Sequence, residues 1–191
     1  TTNPGVAITS FTQDDLDNSR VVFVHDGTQA ASDSFDFSLA DGGEDGATAA
    51  AGTFNFTVTN VNDAPVNTVP GAQTVDEDTP LAIGGISVAD DDDDLSTVQL
   101  SVGNGSLNVT LSGTAAISAG SNGSGDLTLS GSLADINAAL ASLTYQGDLN
   151  YNGSDTLTVL STDSNAATDS DTVVITDGAV NDPPTELKVT H

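Results

Sequence analysis

The sequence predicts an all-β protein built from tandem antiparallel Greek-key β-sandwiches. Three observations carry this. Apolar residues recur with period two rather than 3.6, Gly, Asn and Asp cut the alternating runs into short pieces, and one block of sequence returns 122 residues later.

The alternating runs, in order, are VVFVH (21–25), DSFDFSL (33–39), TFNFTVTNV (53–61), TVQLSV (97–102), SLNVTL (106–111), DLTLSG (126–131), DTLTVL (155–160) and DTVVIT (171–176). In most of them apolar side chains alternate with Thr, Ser or Asp, as a half-buried strand requires. Asn104-Gly105, Asn122-Gly123 and Asn152-Gly153 are hairpin or tight-turn signals. Only SLADINAALASL (132–143) reads as helix: Leu133, Ile136, Leu140 and Leu143 are spaced three and four apart, enough for one or two turns bridging strands. Many short strands with few aromatics fit a sandwich.

The repeat organises the chain. SDSFDFSLAD (32–41) matches SDTLTVLSTD (154–163), and Phe23 matches Tyr145 at the same offset of 122. DDLDNSRVVFVHDG (14–27) parallels ADINAALASLTYQGD (134–148), and FTVTNVNDAP (56–65) parallels VITDGAVNDPP (174–184). Residues 1–65 therefore read as the C-terminal half of a unit, 66–184 as a complete copy, and 185–191 as the start of a third or a tail. The chain is expected to be a piece of a tandem array. A half-sandwich exposes its inner face, so residues 1–65 should pack on something, a neighbouring chain in a strand-exchanging filament included, or be poorly ordered.

Composition excludes several classes of function. The formal net charge is -26, with 28 acids against Arg20 and Lys188 alone. Such a surface repels nucleic acid and anionic membrane. Glu44, Glu77 and Glu186 are the only glutamates among the acids; the bias to Asp points to turns and to ligation of hard cations rather than to general acidity. There is no Cys, hence no disulfide, thiolate zinc site or Cys nucleophile. No apolar run approaches the roughly 18 residues of a membrane span.

The densest acidic feature is Asp90-Asp91-Asp92-Asp93-Asp94. Carboxylates about 4 Å apart repel by roughly 1 kcal/mol in bulk water and several-fold more near a protein surface. On an extended chain Asp90, Asp92 and Asp94 would share one side while Asp91 and Asp93 face away. Calcium accepts six to eight oxygens, and carboxylates converging on it exchange repulsion for attraction.

Two stretches carry a family resemblance. Residues 11–43 with FNFTVTNVNDAP (54–65) resemble the chondroitin-sulfate-proteoglycan-type repeat. VPGAQTVDEDTPLAIGGISVADDDDD (69–94) with LADINAALASLTYQGDLNYNGSDTLTVLSTDS (133–164) resembles the bacterial cadherin-like repeats of large secreted adhesins. The resemblance implies cadherin-like or Ig-like sandwiches, strung end to end outside the cell and rigidified by calcium between successive units. Carried onto this sequence, it implies that Asn62 and Asp63 of the linker, Asp90 and Asp92, and Asp163 hold one ion. It also implies that Glu77 reaches a following junction, where Asn181 and Asp182 repeat the linker, and that Asp41 plays the part of Asp163 in the first copy. The five-Asp run leaves the register open by two residues, so Asp91 or Asp94 is an alternative ligand.

Other residues have plainer readings. Asp33 and Asp155, at strand starts, either cap a turn or hold an ion. His25 beside Asp26-Gly27 belongs to a turn or the surface, and His191 is merely terminal. Asn55, Asn104, Asn108, Asn122 and Asn152 begin N-x-Ser/Thr sequons but, in a bacterial source, serve strands and turns.

Three classes of function follow. The first is a calcium-rigidified spacer or adhesion repeat of a bacterial surface adhesin or filament, whose partners are calcium and neighbouring repeats. The second is a calcium-dependent carbohydrate- or protein-binding module; the absence of Trp and the presence of only Tyr145 and Tyr151 argue against sugar stacking. The third, an enzyme, is not expected: no Ser-His-Asp order, phosphate loop or zinc pattern is present, and paired carboxylates alone do not make a glycosidase.

Overall fold

The computed structural model describes residues 8–24, 31–39, 46 and 48–181. The chain divides into two compact units, Thr1–Val61 and Asn62–His191. His25, Asp41, Asp182 and His191, all singled out above, lie outside the described residues.

The first unit holds a short helix α1 (Gln13–Asp17) and the hairpin β1 (Ser32–Leu39) and β2 (Ala50–Thr57). α1 was not expected. Its cause is a capping box in which the Asp15 N–H donates to Thr12 Oγ1 at 3.3 Å and the Thr12 N–H to Asp15 Oδ2 at 2.9 Å. Arg20 closes the turn on Asp14 and Asp15 at 2.7 and 2.9 Å. In the hairpin Phe35 stands opposite Phe54 and Asp33 opposite Phe56, and Phe35 stacks on Phe54 at 5.7 Å between ring centroids.

The second unit is the sandwich. It runs β3 (Val66–Thr68), β4 (Gln73–Asp76), β5 (Leu81–Ala82), β6 (Ser87–Ala89), β7 (Leu95–Ser101), β8 (Gly105–Asn108), β9 (Ala116–Gly120), β10 (Asp126–Ser130), α2 (Leu133–Leu140), β11 (Thr144–Gly147), β12 (Gly153–Asp163) and β13 (Thr168–Gly178). One sheet has the order β4-β13-β12-β7-β10-β9, a second β5-β11-β8, and β3 pairs with β6. Strands far apart in sequence lie side by side, β12 between β7 and β13 in the larger sheet. Ladders are antiparallel except β4 with β13, which is parallel and sets the unit's early strand beside its last.

Alternation builds the core. Leu157 and Val159 of β12, Val173 and Ile175 of β13, Val98 and Leu100 of β7 and Leu127 and Leu129 of β10 are buried in one cluster. Leu107, Tyr145, Ile136 and Leu140 belong to the same cluster from the other side. α2 starts at the Ser132 cap and inserts Ile136, Ala139 and Leu140. On its flank Asn137 takes the place of a strand neighbour: it accepts from the Val88 N–H at 2.8 Å and donates to the Val88 carbonyl at 2.9 Å. Asn122 pairs with the Val109 backbone in the same way, both contacts at 2.9 Å, so its amide is already engaged.

Three sequence expectations need correction. Val21–Val24 form no strand. Their repeat counterpart around Tyr145 is a strand because β5 and β8 flank it, and no such neighbours stand in the first unit among the described residues. The strand expected over 106–111 ends at Asn108, because Val109 pairs with a side chain instead of a strand. Gly105 does not supply positive φ for a turn; it opens β8, where a Cβ would fall 2.6 Å from both the Gln146 carbonyl and the Tyr145 ring.

Leu157→Ala should destabilise the second unit by about 2–5 kcal/mol, the cost of a cavity at a fully buried leucine. Denaturant unfolding checks this, and a loss under about 1 kcal/mol would contradict the packing described.

Candidate metal centre

β12 sets the frame. Its inward face reads Asp155, Leu157, Val159, Ser161, Asp163, all buried, so an acid stands at each end of an apolar stretch. Eight residues of strand separate the two carboxyls by about 26 Å. The unit therefore has two acidic ends, and residues 62–181 contain no Lys or Arg to neutralise either.

At the Asp163 end the run 90–94 joins β6 to β7. It is a turn, not an extended strand: the Asp93 N–H reaches the Asp90 carbonyl at 3.3 Å and the Asp92 N–H reaches Asp90 Oδ1 at 3.0 Å. Asp93 sits at φ 56, a left-handed conformation that Asp tolerates better than most residues. Extended-strand alternation was thus the wrong reason, although Asp91 and Asp93 are exposed. The turn brings ligand atoms of Asp90, Asp92 and Asp94 within 4.8 Å of one another. Asp94 completes the trio, one of the two alternatives the sequence left open.

The trio is held from two sides. Asp94 Oδ2 accepts from Ser164 Oγ at 2.5 Å and from Asn165 Nδ2 at 2.9 Å, both in the hairpin loop after β12. Asp92 Oδ2 accepts from the Asp63 N–H at 2.6 Å. Asp163 lies outside the trio and is spent on structure: its Oδ1 takes the N–H groups of Asn165 and Ala167 at 2.9 and 2.8 Å, and its Oδ2 takes Asn62 Nδ2 at 2.8 Å. The Asn62 contact is the leading reason its carboxyl is held below the ordinary value. Asn62 and Asp63 are therefore fastened to the site, Asn62 through its side chain and Asp63 through its backbone.

Two oxygens in the trio stand out. Asp90 Oδ2 and Asp94 Oδ1 are buried and have no hydrogen-bond partner. Burial first, and the charges of Asp94 and Asp163 after it, push the Asp90 carboxyl above its ordinary value, against the N–H groups of Asp92 and Asp94. Two bare acceptors facing like charge are costly unless a cation joins them. The donors are all carboxylate oxygen, with no His or Cys in 62–181, which suits a hard cation such as calcium and not a transition metal.

The other end is built differently. Glu77 is buried and accepts from the Val180 N–H at 2.7 Å and from Asn152 Nδ2 at 3.3 Å. It fastens the chain leaving β13, near Asn181; both stand apart from the trio. Asp155 caps a turn, taking the N–H groups of Gly103, Asn104 and Thr156 at 2.9, 2.8 and 2.7 Å. Beside it the Tyr145 hydroxyl lies 2.9 Å from Asp177 Oδ2 and 3.2 Å from Asp155 Oδ2. One hydroxyl hydrogen cannot serve both acids. Burial pushes the Asp177 carboxyl up against the Tyr145 hydrogen bond, with the Asp155 and Glu77 charges adding. Burial likewise pushes the Tyr145 hydroxyl up, reinforced by both acids. Sequence reasoning missed Tyr145 and Asp177, yet period-two alternation along β13 already put Asp177 on the face of Ile175 and Val173.

Residues 1–70 match the family model described as Cadherin-like, and residues 86–172 match the model described as Protein GAMETE EXPRESSED 2 domain. No curated protein matches the chain. The first match supports a cadherin-like domain, an extracellular module of the adhesion type. No helix among the described residues is long and apolar enough to cross a membrane.

Asp90→Asn should have opposite effects in two media. In chelator it relieves repulsion and raises the melting temperature; in calcium it removes a ligand and abolishes the calcium-dependent gain. A lower melting temperature in chelator would contradict the geometry. Asp177 titrates in the opposite sense to a salt-bridged acid. Its raised folded pKa means the folded state holds a proton that the unfolded chain releases, so this group's stability is lost as pH rises from the ordinary 3.8 through the folded value. Asp177→Asn should therefore stabilise the protein at pH 7, with the advantage over wild type vanishing towards pH 4. Melting curves across that range check it.

Proposed function

We propose that the chain is a calcium-stiffened spacer and adhesion repeat of an extracellular surface protein, a bacterial adhesin or filament, that works alongside neighbouring repeats. The observation that carries this reading is the trio Asp90, Asp92 and Asp94, with two buried oxygens lacking partners in a stretch, residues 62–181, that has no basic side chain. Calcium bound there would supply a double positive charge to all three carboxylates, and the residues hold it in position. Asp92 is also the anchor of the Asp63 N–H, and Asp163 and Asn165 secure Asn62. Neutralising the trio would therefore lock the residues through which the chain enters the second unit, which is how a string of sandwiches becomes a rod.

Calcium-dependent binding of a glycan or surface protein receives less support. The second unit has two aromatic residues: Tyr145 is buried, and Tyr151 is turned onto the Ser154 carbonyl at 2.7 Å. Neither offers a stacking platform. No catalytic step is assigned. Asp155, Asp163 and Glu77, the acids otherwise suited to acid–base work, are consumed by caps.

Calcium at a hundredfold excess over its dissociation constant should stabilise the second unit by about 2.7 kcal/mol, roughly 10 °C in melting temperature. Equal melting curves in calcium and in chelator at matched ionic strength would refute the reading. Small-angle scattering of a protein with at least two complete repeats should show a longer, narrower distance distribution in calcium; an unchanged broad distribution would leave the module without a spacer's mechanism.

A further inference from the structure

The first unit presents a sheet face whose counterpart in the second unit is the centre of the core. Residues of β1 answer to β12 at an offset of 122, and residues of β2 to β13 at an offset of 119, which aligns Asn62-Asp63 with Asn181-Asp182. The backbone obeys this alignment. Asp33 pairs with Phe56 and Phe35 with Phe54, as Asp155 pairs with Ile175 and Leu157 with Val173. The two hairpins share one register, reached from different residues.

Their surroundings differ. Leu157 is 0% exposed and Val173 1%, whereas Phe35 is 38% exposed and Phe54 51%. The outer edges of β12 and β13 are taken by β7 and β4; those of β1 and β2 carry no strand among the described residues. In the second unit, both edge strands and β8 of the facing sheet come from one segment, residues 66–131. Phe23 stacks on Phe56 at 4.1 Å between ring centroids, and a single segment of that kind would cover the rest of the face and both outer edges. The polar pair of the second unit is also absent: Phe23 stands for Tyr145 and Val58 for Asp177. Phe and Val at these two positions make the face more apolar than its counterpart, while Asp33 keeps the place of Asp155.

We infer that the Phe35/Phe54 face of β1 and β2 is a docking surface for an N-terminal half-repeat of the kind formed by residues 66–131, which completes it as a sandwich. Its strands would add to both outer edges, and its apolar residues would cover the aromatic face. This surface goes beyond the calcium reading and shares no residue with the metal centre, so either can fail without the other.

The test compares the full chain with a version in which a copy of residues 66–131 is placed ahead of Thr12, as the original segment precedes the Ser132 helix cap. The full chain should sediment as a monomer and bind an apolar dye, and Phe54→Asp should remove the dye. Its β1 and β2 amides should exchange with solvent far faster than those of β12 and β13. In the extended protein dye binding should disappear, and exchange at the outer edges of β1 and β2 should slow by about 100-fold or more. A full chain that dimerises and so protects the aromatic face would make a second copy the occupant and overturn the proposal. So would a monomer that binds no dye, or dye binding that Phe54→Asp leaves intact. An extended protein whose β12 and β13 stay protected while β1 and β2 exchange as before would overturn it equally.

Discussion

The described part of the second unit, residues 62–181, depends on one constraint: it buries carboxylates and has no basic side chain. Asp90, Asp155, Asp163, Asp177 and Glu77 are all buried, and residues 62–181 contain no Lys, Arg or His. A buried charge without a partner is not tolerated, so each acid must find N–H groups, a proton or an ion. Asp155, Asp163 and Glu77 find N–H groups, and by doing so they become the clamps that hold turns and both chain ends in place. Asp177 finds the Tyr145 hydroxyl and is left wanting a proton. Only in the 90–94 turn do the resources of the chain run out, with Asp90 Oδ2 and Asp94 Oδ1 bare.

This division has a mechanical meaning. Acids at the two ends of β12 are separated by a dry stack of Leu157 and Val159, so they do not compete for one counterion. The end that receives the chain is the one where two buried carboxylate oxygens lack partners. The end that releases it is closed by the Glu77 contact to the Val180 N–H. Hydrogen bonds tie the chain at both ends, at Asn62 and Asp63 where it enters and at Val180 where it leaves.

Much of this was legible in the sequence because alternation and repetition are simple periodic signals. The strands β12 and β13, the helix α2 and the grouping of Asp90, Asp92 and Asp94 on one side were readable from residues; the resemblance named Asn62 and Asp163 as ligands of one ion, whereas the structure joins them by a direct hydrogen bond. What escaped is non-local. Nothing near Val21–Val24 says that flanking strands are missing, and nothing near Gly105 says that the Tyr145 ring lies against it. The 90–94 turn defeated the reasoning in a different way. Asp93 adopts a left-handed conformation to let Asp90 cap its own turn, so the correct faces emerged from a bent backbone instead of a straight one. Short strands such as β5 and β6 carry too few residues for any period to show.

The central claim is that calcium joins the bare oxygens of the trio. A crystal structure grown in calcium, with anomalous scattering to identify the ion, tests it most directly. The account predicts one calcium within about 2.3–2.6 Å of oxygens from Asp90, Asp92 and Asp94, including Asp90 Oδ2 or Asp94 Oδ1. A water or a shared proton bridging those two oxygens at saturating calcium, with no anomalous peak between them, would contradict it.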